Sequence, residues 1–395
     1  MSKLDELIQE LCPDGVEYKK LGDLIKIEKG KQLNKTHLFD KYEENLHPVI
    51  NGGISPSGFW NEYNYSENLI TISQGGASAG YVNYIKTKFW AGAHCYVVSS
   101  VDNDIIYRYV YHFLKSKEIE LKKSQVGAGI PSVSLHDINY LSLPIPPLEV
   151  QCEIVRILDK FTLLTAELTA ELTAELTARR KQYEYYRNLL VSFNNFIQKR
   201  KFGNIASIQR GASPRPISQF ITNDMDGVNW IKIGDVDKES KYITKSKEKI
   251  TIDGSKKSRK VKKGDFILSN SMSFGRPYIL AIDGCIHDGW LSISDFEDVF
   301  ISDFLYYLLN SNDIQNEFRK KASFGGAVQN LNADIVRGIE LHIPSKDEQQ
   351  KIINILDRFD KLCNDITSGI PAEIELNNKR YEYYRDKLLT FKEKK

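Results

Sequence analysis

The sequence contains two copies of one pattern, and this duplication constrains the fold more than any other feature. The first copy holds IPPLEVQCEIVRILDKF at Ile145–Phe161, and the second holds IPSKDEQQKIINILDRF at Ile343–Phe359. The motif YEYYR begins 22 positions after the last phenylalanine in both copies, at Tyr183 and at Tyr381. Agreement of motif and spacing on this scale predicts two structural units related by an internal repeat.

The repeat continues more faintly on the N-terminal side of each copy. The segment Lys20–Gly30 resembles Lys201–Gly211, with glycines in register, while the stretches that follow differ in sequence and length. Each unit therefore consists of a variable globular segment and a shared helical segment. The second unit is preceded by the helical residues that follow the first YEYYR motif. If the C-terminal residues were joined to the N-terminal helix Ser2–Leu11, the first unit would be preceded by a comparable segment. The chain therefore resembles a ring of two units cut once.

A low-complexity stretch of TAEL tetrads, Leu164–Ala178, separates the two motifs of the first copy. Ala, Leu and Glu are strong helix formers, and the stretch has neither Gly nor Pro. A solvated linker is the alternative, but such linkers are usually rich in Gly, Ser or Pro. We therefore predict one helix from Leu148 to Phe193, about 45 residues and roughly 65–70 Å long, whose apolar stripe needs a partner helix.

The second copy has Ser368-Gly369-Ile370-Pro371 where the first has tetrads. Because Pro cannot continue a helix interior, we predict two shorter helices, about Asp347–Thr367 and Ala372–Phe391. The two shared segments are expected to pack as antiparallel helical regions with a local twofold, which would place the two globular segments, inverted, at opposite ends.

The globular segments combine short apolar runs, bounded by Gly, Asn, Asp and Ser, with amphipathic patterns. The predicted strands are Leu69–Ser73, Tyr96–Ser99 and Phe266–Ser269, and the predicted helices are Ile105–Lys115 and Ile301–Asn310. The fold class expected is mixed α/β with a small, irregular sheet in each unit.

Composition excludes several classes of protein. The 395 residues carry a formal net charge of only +2, so a nucleic-acid surface would have to come from local clustering. No apolar run approaches the roughly 18 residues of a membrane span, and the acidic, amphipathic N-terminus is unlike a signal peptide. The five cysteines never form CxxC, so we expect neither a disulfide framework nor a metal site. We expect the protein to be cytoplasmic.

No catalytic motif is present in the sequence. A P-loop, H-E-x-x-H and G-x-S-x-G are all absent, and no catalytic residue is predicted. The glycine-rich run 75–80 lacks the G-x-G-x-x-G spacing, which favours a tight turn near a ligand or phosphate over a dinucleotide site. His94 and His287 fall at loosely matching places and are expected to be packing residues.

Basic residues cluster locally. The run from Lys256 to Lys263 carries six positive charges in eight positions, and a solvated lysine-rich loop is the alternative to DNA binding there. Basic side chains would contact phosphates, and neighbouring polar side chains would contact base edges. The candidate DNA-binding residues are Lys29, Lys31, Gln32, Gln74, Ser78, Arg210, Arg215, Lys256, Lys257, Arg259, Lys260, Asn270, Ser271 and Arg276.

With its central TAEL tetrads, paired IPPLEVQ…ILDKF and IPSKDEQ…ILDRF segments and paired YEYYR motifs, the chain resembles the specificity subunits of type I restriction–modification systems. The resemblance covers essentially the whole chain. It implies two target-recognition domains, each recognising one half of an interrupted, asymmetric DNA sequence, with helical regions as the spacer. The implied boundaries are 1–144 for the first target-recognition domain, 145–198 for the central spacer, 199–342 for the second domain and 343–395 for the C-terminal helical region.

The resemblance also implies partners and cofactors. The subunit would have no catalytic residues and no cofactor of its own. It would hold two modification subunits, which carry S-adenosylmethionine and methylate adenine, and restriction subunits using ATP and Mg²⁺ can join them. Candidate contacts to these subunits are Tyr183, Tyr186, Arg187, Tyr381, Tyr384 and Arg385, for which packing between the two helices is an equal alternative.

Two other classes of function compete with this interpretation. A scaffold whose two modules bind proteins would have no salt-sensitive affinity for DNA, whereas a DNA-binding subunit would lose affinity steeply with salt. A stand-alone DNA methyltransferase or nuclease is disfavoured because the sequence has no N/D-P-P-[YF] motif or other catalytic stretch.

Overall fold

The structure is a computed structural model that describes residues 2–123, 131–192, 198–236, 240–270, 274–322, 331–365 and 368–394. The chain divides into two units. Unit 1 combines residues 1–171 with residues 374–395, and unit 2 comprises residues 172–373. The helices are α1 (Lys3–Leu11), α2 (Tyr107–Ser116), α3 (Glu118–Lys123), α4 (Leu135–Asn139), α5 (Leu148–Ser192), α6 (Ile252–Lys256), α7 (Ser302–Leu309), α8 (Asn312–Ala322), α9 (Ala333–Arg337), α10 (Lys346–Asn364) and α11 (Ile370–Leu388).

In the described residues of unit 1, the strands form three small sheets. Its strands are β1 (Glu17–Lys20), β2 (Ile25–Lys29), β3 (His47–Ile50), β4 (Phe59–Trp60), β5 (Leu69–Ser73), β6 (Val82–Ile85), β7 (Trp90–Ala91), β8 (Cys95–Val101) and β9 (Ser142–Ile145). The main sheet has the antiparallel order β2-β8-β5-β6. A smaller sheet has the order β4-β3-β7, with β3 parallel to β7, and β1 pairs with β9.

Unit 2 repeats this plan with added strands. These are β10 (Gln198–Lys201), β11 (Ser207–Arg210), β12 (Ile221–Thr222), β13 (Val228–Ile231), β14 (Tyr242–Ile243), β15 (Glu248–Ile250), β16 (Arg259–Val261), β17 (Phe266–Ser269), β18 (Pro277–Leu280), β19 (Gly284–Ile286), β20 (Trp290–Ser294) and β21 (Glu340–Ile343). The order β11-β20-β17-β18 corresponds to β2-β8-β5-β6, parallel β13–β19 corresponds to β3–β7, and β10–β21 corresponds to β1–β9. The predicted mixed α/β class with an internal repeat is confirmed.

In each unit the core lies between the main sheet and the helices that follow it. In unit 1, Ile70 and Val98 of the sheet pack with Val110 of α2 and with Ile154 of α5. Burial of these apolar side chains, each contributing about 1.5–3 kcal/mol, holds α2 and the start of α5 on the sheet. The equivalent core of unit 2 joins β17 and β20 to α7 and α10.

A buried glutamine fixes the start of α2 and of α7 in the same way. In unit 1, Gln151 Oε1 accepts a hydrogen bond from the N–H of Ile106, and Nε2 donates to the carbonyls of Asp104 and Pro146. In unit 2, Gln349 makes the same three bonds, to Ile301, Val299 and Pro344. Neither α2 nor α7 has a side-chain cap at its first residue, so this glutamine satisfies a backbone donor that would otherwise be buried without a partner. These are the glutamines that the two sequence copies share.

The predicted long helix is confirmed as α5, Leu148–Ser192, a continuous run of 45 residues. Its first part packs on α11 within unit 1, where Thr165 and Thr169 accept hydrogen bonds from the Asn377 side chain and Thr162 bonds to Tyr381. Residue numbers rise along α5 as they fall along α11, so this pair is antiparallel. Its last part packs on α10 within unit 2, where the rings of Tyr183 and Tyr186 contact Phe359.

The helical interruption in the second copy is also confirmed, with shifted ends. Helix α10 stops at Asn364, earlier than the predicted Thr367, and α11 starts at Ile370 rather than Ala372. Pro371 thus lies in the first turn of α11, where its missing N–H has no helical partner to lose. Residues 366–367 lie outside the described part of the chain.

Residues near the two ends of the described chain contact each other in unit 1. Val16 forms a parallel bridge with Glu393, and the hydroxyl of Tyr18 donates to the carbonyl of Phe391 at 2.9 Å. The residues that follow α11 therefore lie beside the start of β1, as expected for a ring of two units cut once.

Candidate nucleic-acid interface

In unit 1 the predicted contact residues lie along one edge of the main sheet. Strand β2 ends at Lys29, opposite Tyr96, and β5 ends at Ser73, opposite Cys95, so both end beside the start of β8. The candidates at this edge are exposed or half-buried: Lys29, Lys31, Gln32, Gln74 and Ser78.

Glycines allow the loop after β2, and after β11 in unit 2, to cross close to the neighbouring backbone. A Cβ at Gly30 would lie 2.3 Å from the carbonyl oxygen of Gly92, and one at Gly211 would lie 2.0 Å from that of His287. Since no side chain tolerates such a distance, both positions need glycine. The faint repeat that ends at these two glycines is thereby confirmed, and Gly92 corresponds to His287.

Gln74 and Asn270 are also structurally equivalent. The N–H of Gln74 donates to His94 and its carbonyl accepts from Val133, while Asn270 makes the same two bonds with Gly289 and Leu331. Each amide side chain therefore follows the central strand of its main sheet. Asn270 is 4% exposed, so as placed it supports the edge from within.

In unit 2 the arginines converge on Asp288. The backbone carbonyl of Asp288 accepts from Arg210 Nε at 3.2 Å and from Asn270 Nδ2 at 2.8 Å. Its carboxylate accepts from the Ser213 hydroxyl at 2.7 Å and lies 3.6 Å from Arg215. The hydrogen bond from Ser213 lowers the pKa of Asp288, so this carboxylate is ionised at neutral pH.

The basic run reaches the same edge through its middle residues. Arg259 Nε donates to the carbonyl of Arg210 at 3.2 Å, and the Ser258 hydroxyl donates to Ala212 at 2.7 Å. Lys260 is exposed on β16, the last strand of its sheet. The run therefore flanks the loop that follows β11.

The remaining candidates are placed less directly. Lys256 forms an ion pair with Asp253 at 2.8 Å, and the Lys257 ammonium lies 4.8 Å from the ring centroid of Phe220. Arg276 is half-buried over Tyr278. Ser271 lies outside the described residues.

The sequence reasoning missed residues that line a cleft beside Asp288. The cleft has a volume of about 370 Å³, and its polar lining includes Lys232, Glu248 and His287. Its lining comes from short strands far apart in sequence, and no motif marks them. His287 is half-buried, which lowers its pKa, and its ring contacts Trp230, so it packs as expected. His94 is exposed, so the packing prediction is wrong for that residue.

The YEYYR residues lie between helices. In unit 2, the ring of Tyr186 stacks on Phe359 at 5.6 Å, Tyr183 lies 6.5 Å from Phe359, and Arg187 lies over Tyr183. In unit 1, Tyr384 packs edge-on against Phe161 at 5.7 Å. Arg385 is 6% exposed and lies over Tyr381. These contacts favour a packing role, and a role in subunit binding stays a prediction.

The most exposed tyrosine of the motif is the same one in both units. Tyr185 and Tyr383 occupy equivalent positions, and each is 62% exposed. An aromatic ring that is exposed at both copies of a repeated helix surface is available to a partner that binds twice.

Within the described residues, no group of three or more His, Cys, Asp or Glu side chains could hold a metal ion. The helices in that part of the chain also include none with the length and apolar character needed to cross a membrane.

Comparison with known proteins agrees with the duplicated plan. The family described as type I restriction modification DNA specificity domain matches twice, at residues 13–178 and 196–376. Among curated relatives, a putative type I restriction enzyme specificity subunit of Haemophilus influenzae is 33% identical over 83% of this chain and 84% of its own length. The EcoR124I/EcoR124II specificity subunit of Escherichia coli is 31% identical over 99% of this chain and 98% of its own length.

Solved structures share the fold. A chain from a type I R-M system structure concerned with complex assembly and conformational transition has a TM-score of 0.69 at 15% identity, covering 95% of this chain and 98% of that one. The HsdS subunit from Thermoanaerobacter tengcongensis has a TM-score of 0.53 at 14% identity, covering 96% and 97%. The chain belongs to the family of type I restriction modification DNA specificity subunits.

Proposed function

We propose that the chain recognises a bipartite, asymmetric DNA target on behalf of a type I restriction–modification assembly. The observation that carries the proposal is the contrast within the repeat. The buried frame, including the Gln151 and Gln349 clamps and the two close glycine crossings, is the same in both units. The polar side chains at the equivalent sheet edges differ, as two units that recognise different half-sites require.

The proposed spacer is helix α5 with its tetrads. One TAEL adds four residues, about 6 Å of helix, which corresponds to at most about two base pairs at roughly 3.4 Å each. The number of tetrads would then set the distance between the two half-sites, while the sheet edges would set their sequence.

The proposed partners are two modification subunits, bound at the equivalent helix surfaces around Tyr185 and Tyr383, with restriction subunits able to join. S-adenosylmethionine, ATP and Mg²⁺ would be bound by those partners. The name of the Escherichia coli relative and the duplicated helix surface support this assignment. The chain itself would contribute recognition and positioning, with no catalytic step of its own.

The test is to co-express the chain with its genomic neighbours and to map methylated adenines in the host DNA. We expect the methylated adenines to lie in one interrupted motif with a fixed spacer. We also expect the affinity of the purified complex for DNA to fall steeply as the salt concentration rises. A complex that binds no DNA at low salt, or methylation without an interrupted motif, would contradict the proposal.

A further inference from the structure

The edge of unit 2 carries charges where the edge of unit 1 has neutral residues. Because His287 corresponds to Gly92, Asp288 corresponds to Ala93. The parallel pairs Ile231–Ile286 and Ile50–Ala91 likewise make Lys232 correspond to Asn51. Asp288 and Lys232 are therefore not needed for the shared frame, which forms in unit 1 with neutral residues at these two positions.

The charges form two ion pairs at the cleft. Lys232 Nζ lies 2.5 Å from Glu248 Oε1, with the two side chains 37% and 38% exposed. Arg215 lies 3.6 Å from Asp288 Oδ2, with the two side chains 83% and 44% exposed. All four reach solvent, and Trp230, Ile217 and Ile221 provide an apolar lining between them.

The carboxylates of Glu248 and Asp288 determine which class of ligand the cleft can bind. A phosphate would be repelled by Glu248 and Asp288, both of which lie within ion-pair distance of the cations. A base edge is neutral and offers donors and acceptors together. In the major groove, guanine O6 and N7 accept hydrogen bonds from Arg or Lys, and cytosine N4 donates to Glu or Asp.

The apolar lining offers no aromatic surface for a stacked base. The Trp230 ring is 2% exposed, so it supports the cleft from below rather than offering a surface for stacking. The basic run, with Lys260 exposed, has the composition expected for phosphate contact, and its Arg259 is hydrogen-bonded to the same loop. Phosphate contacts would fix the register of the DNA, and the ion pairs would contact bases.

We infer that the cleft of unit 2 is a base-recognition site for G·C pairs, in which Lys232 and Arg215 bind guanine and Glu248 and Asp288 accept from cytosine. The inference rests on the proposed function and names the residues that determine specificity in one half-site. In the absence of DNA the Lys232–Glu248 ion pair orders the Lys232 side chain, which lowers the entropy cost of ordering it on binding.

The test uses the full chain co-purified with its modification subunits and a pool of random double-stranded DNA, sequenced after selection. The variants are Lys232→Met, Glu248→Gln and Arg215→Ala. For each variant, the preference for G·C over other base pairs at one position of one half-site is expected to fall about ten- to hundredfold. The other half-site and the spacer should be unchanged. Because the Arg215 side chain is 83% exposed, its truncation to Ala removes the guanidinium with little effect on folding, so that variant tests recognition.

Lys249→Gln is the matched control, since Lys249 neighbours Glu248 on β15 but bonds to the carbonyl of Met225. It should select the wild-type motif. Variants that bind with full preference at every position would overturn the inference while leaving the proposed function intact. A wild-type complex that selects no motif at all would instead overturn the proposed function.

Discussion

The buried side chain of His112 lies with its Nε2 2.7 Å from Oδ1 of Asp159, which connects α2 to α5 inside unit 1. Unit 2 replaces this contact with a hydrogen bond from the Tyr307 hydroxyl to Asp357, at the equivalent positions. Burial is the main cause that lowers the pKa of His112 to about 4. The hydrogen bond to Asp159 and its charge raise the pKa, and the positive charge of Arg108 lowers it further. The folded protein therefore keeps this imidazole neutral.

The free energy of unfolding of the wild-type chain is expected to decrease as the pH falls from about 6.5 to about 4. In this window the unfolded state binds a proton at His112 that the folded state does not, so stability falls by up to about 3 kcal/mol. Urea denaturation between pH 4 and pH 7 would measure it. His112→Tyr, which copies unit 2, should reduce the slope, and an unchanged slope would contradict the assignment.

Loss of the buried glutamine should weaken unit 2. Gln349→Ala leaves the N–H of Ile301 and two carbonyls without their partner, and we expect a loss of about 2–3 kcal/mol in the free energy of unfolding. Thermal denaturation would show it. The neighbouring Gln350→Ala, on the exposed face of α10, is the control and should be nearly neutral.

Removal of residues 173–176, one tetrad, should shorten the preferred spacer by one or two base pairs and leave both half-sites unchanged. This deletion keeps Thr165 and Thr169, which hold Asn377 of α11. Sequencing of DNA selected from a random pool would report the spacing. An unchanged spacer would show that α5 does not determine it.

Lys260→Gln is expected to weaken binding to all DNA sequences alike. If Lys260 contacts a phosphate, the slope of log affinity against log salt should fall by about 0.9. Titrations of a specific and an unrelated duplex at several salt concentrations would measure both quantities. A change confined to the specific duplex would argue for a base contact instead.

Tyr185→Ala with Tyr383→Ala should leave the fold intact and reduce association with modification subunits, because both rings are 62% exposed. Tyr186→Ala is the contrasting variant: it removes a ring stacked on Phe359 and should lower thermal stability. Size-exclusion chromatography of co-expressed subunits would separate the two effects. Full association of the double variant would rule out this surface.

The helical frame could be predicted because its signals are local. Leu148–Ser192 lacks Gly and Pro, and Pro371 lies in the first turn of α11, so residue chemistry predicts the long helix and the interruption, although the helix ends are shifted by two or three residues. The edge around Asp288 could not be predicted in this way. Parallel pairing of β13 with β19 joins Trp230 to Cys285, and such long-range register between short strands has no signature in one sequence. Arg210 and Arg215 were found by charge, whereas their common partner Asp288 was not.

The bridge between Val16 and Glu393 has a consequence for biosynthesis. Unit 2 is a continuous stretch of residues 172–373, whereas unit 1 joins residues on both sides of that stretch. The contacts of Val16 and Tyr18 with residues 391–394 can form only after all of unit 2 has been synthesised. We therefore expect unit 1 to be completed no earlier than unit 2, although its N-terminal part is synthesised first.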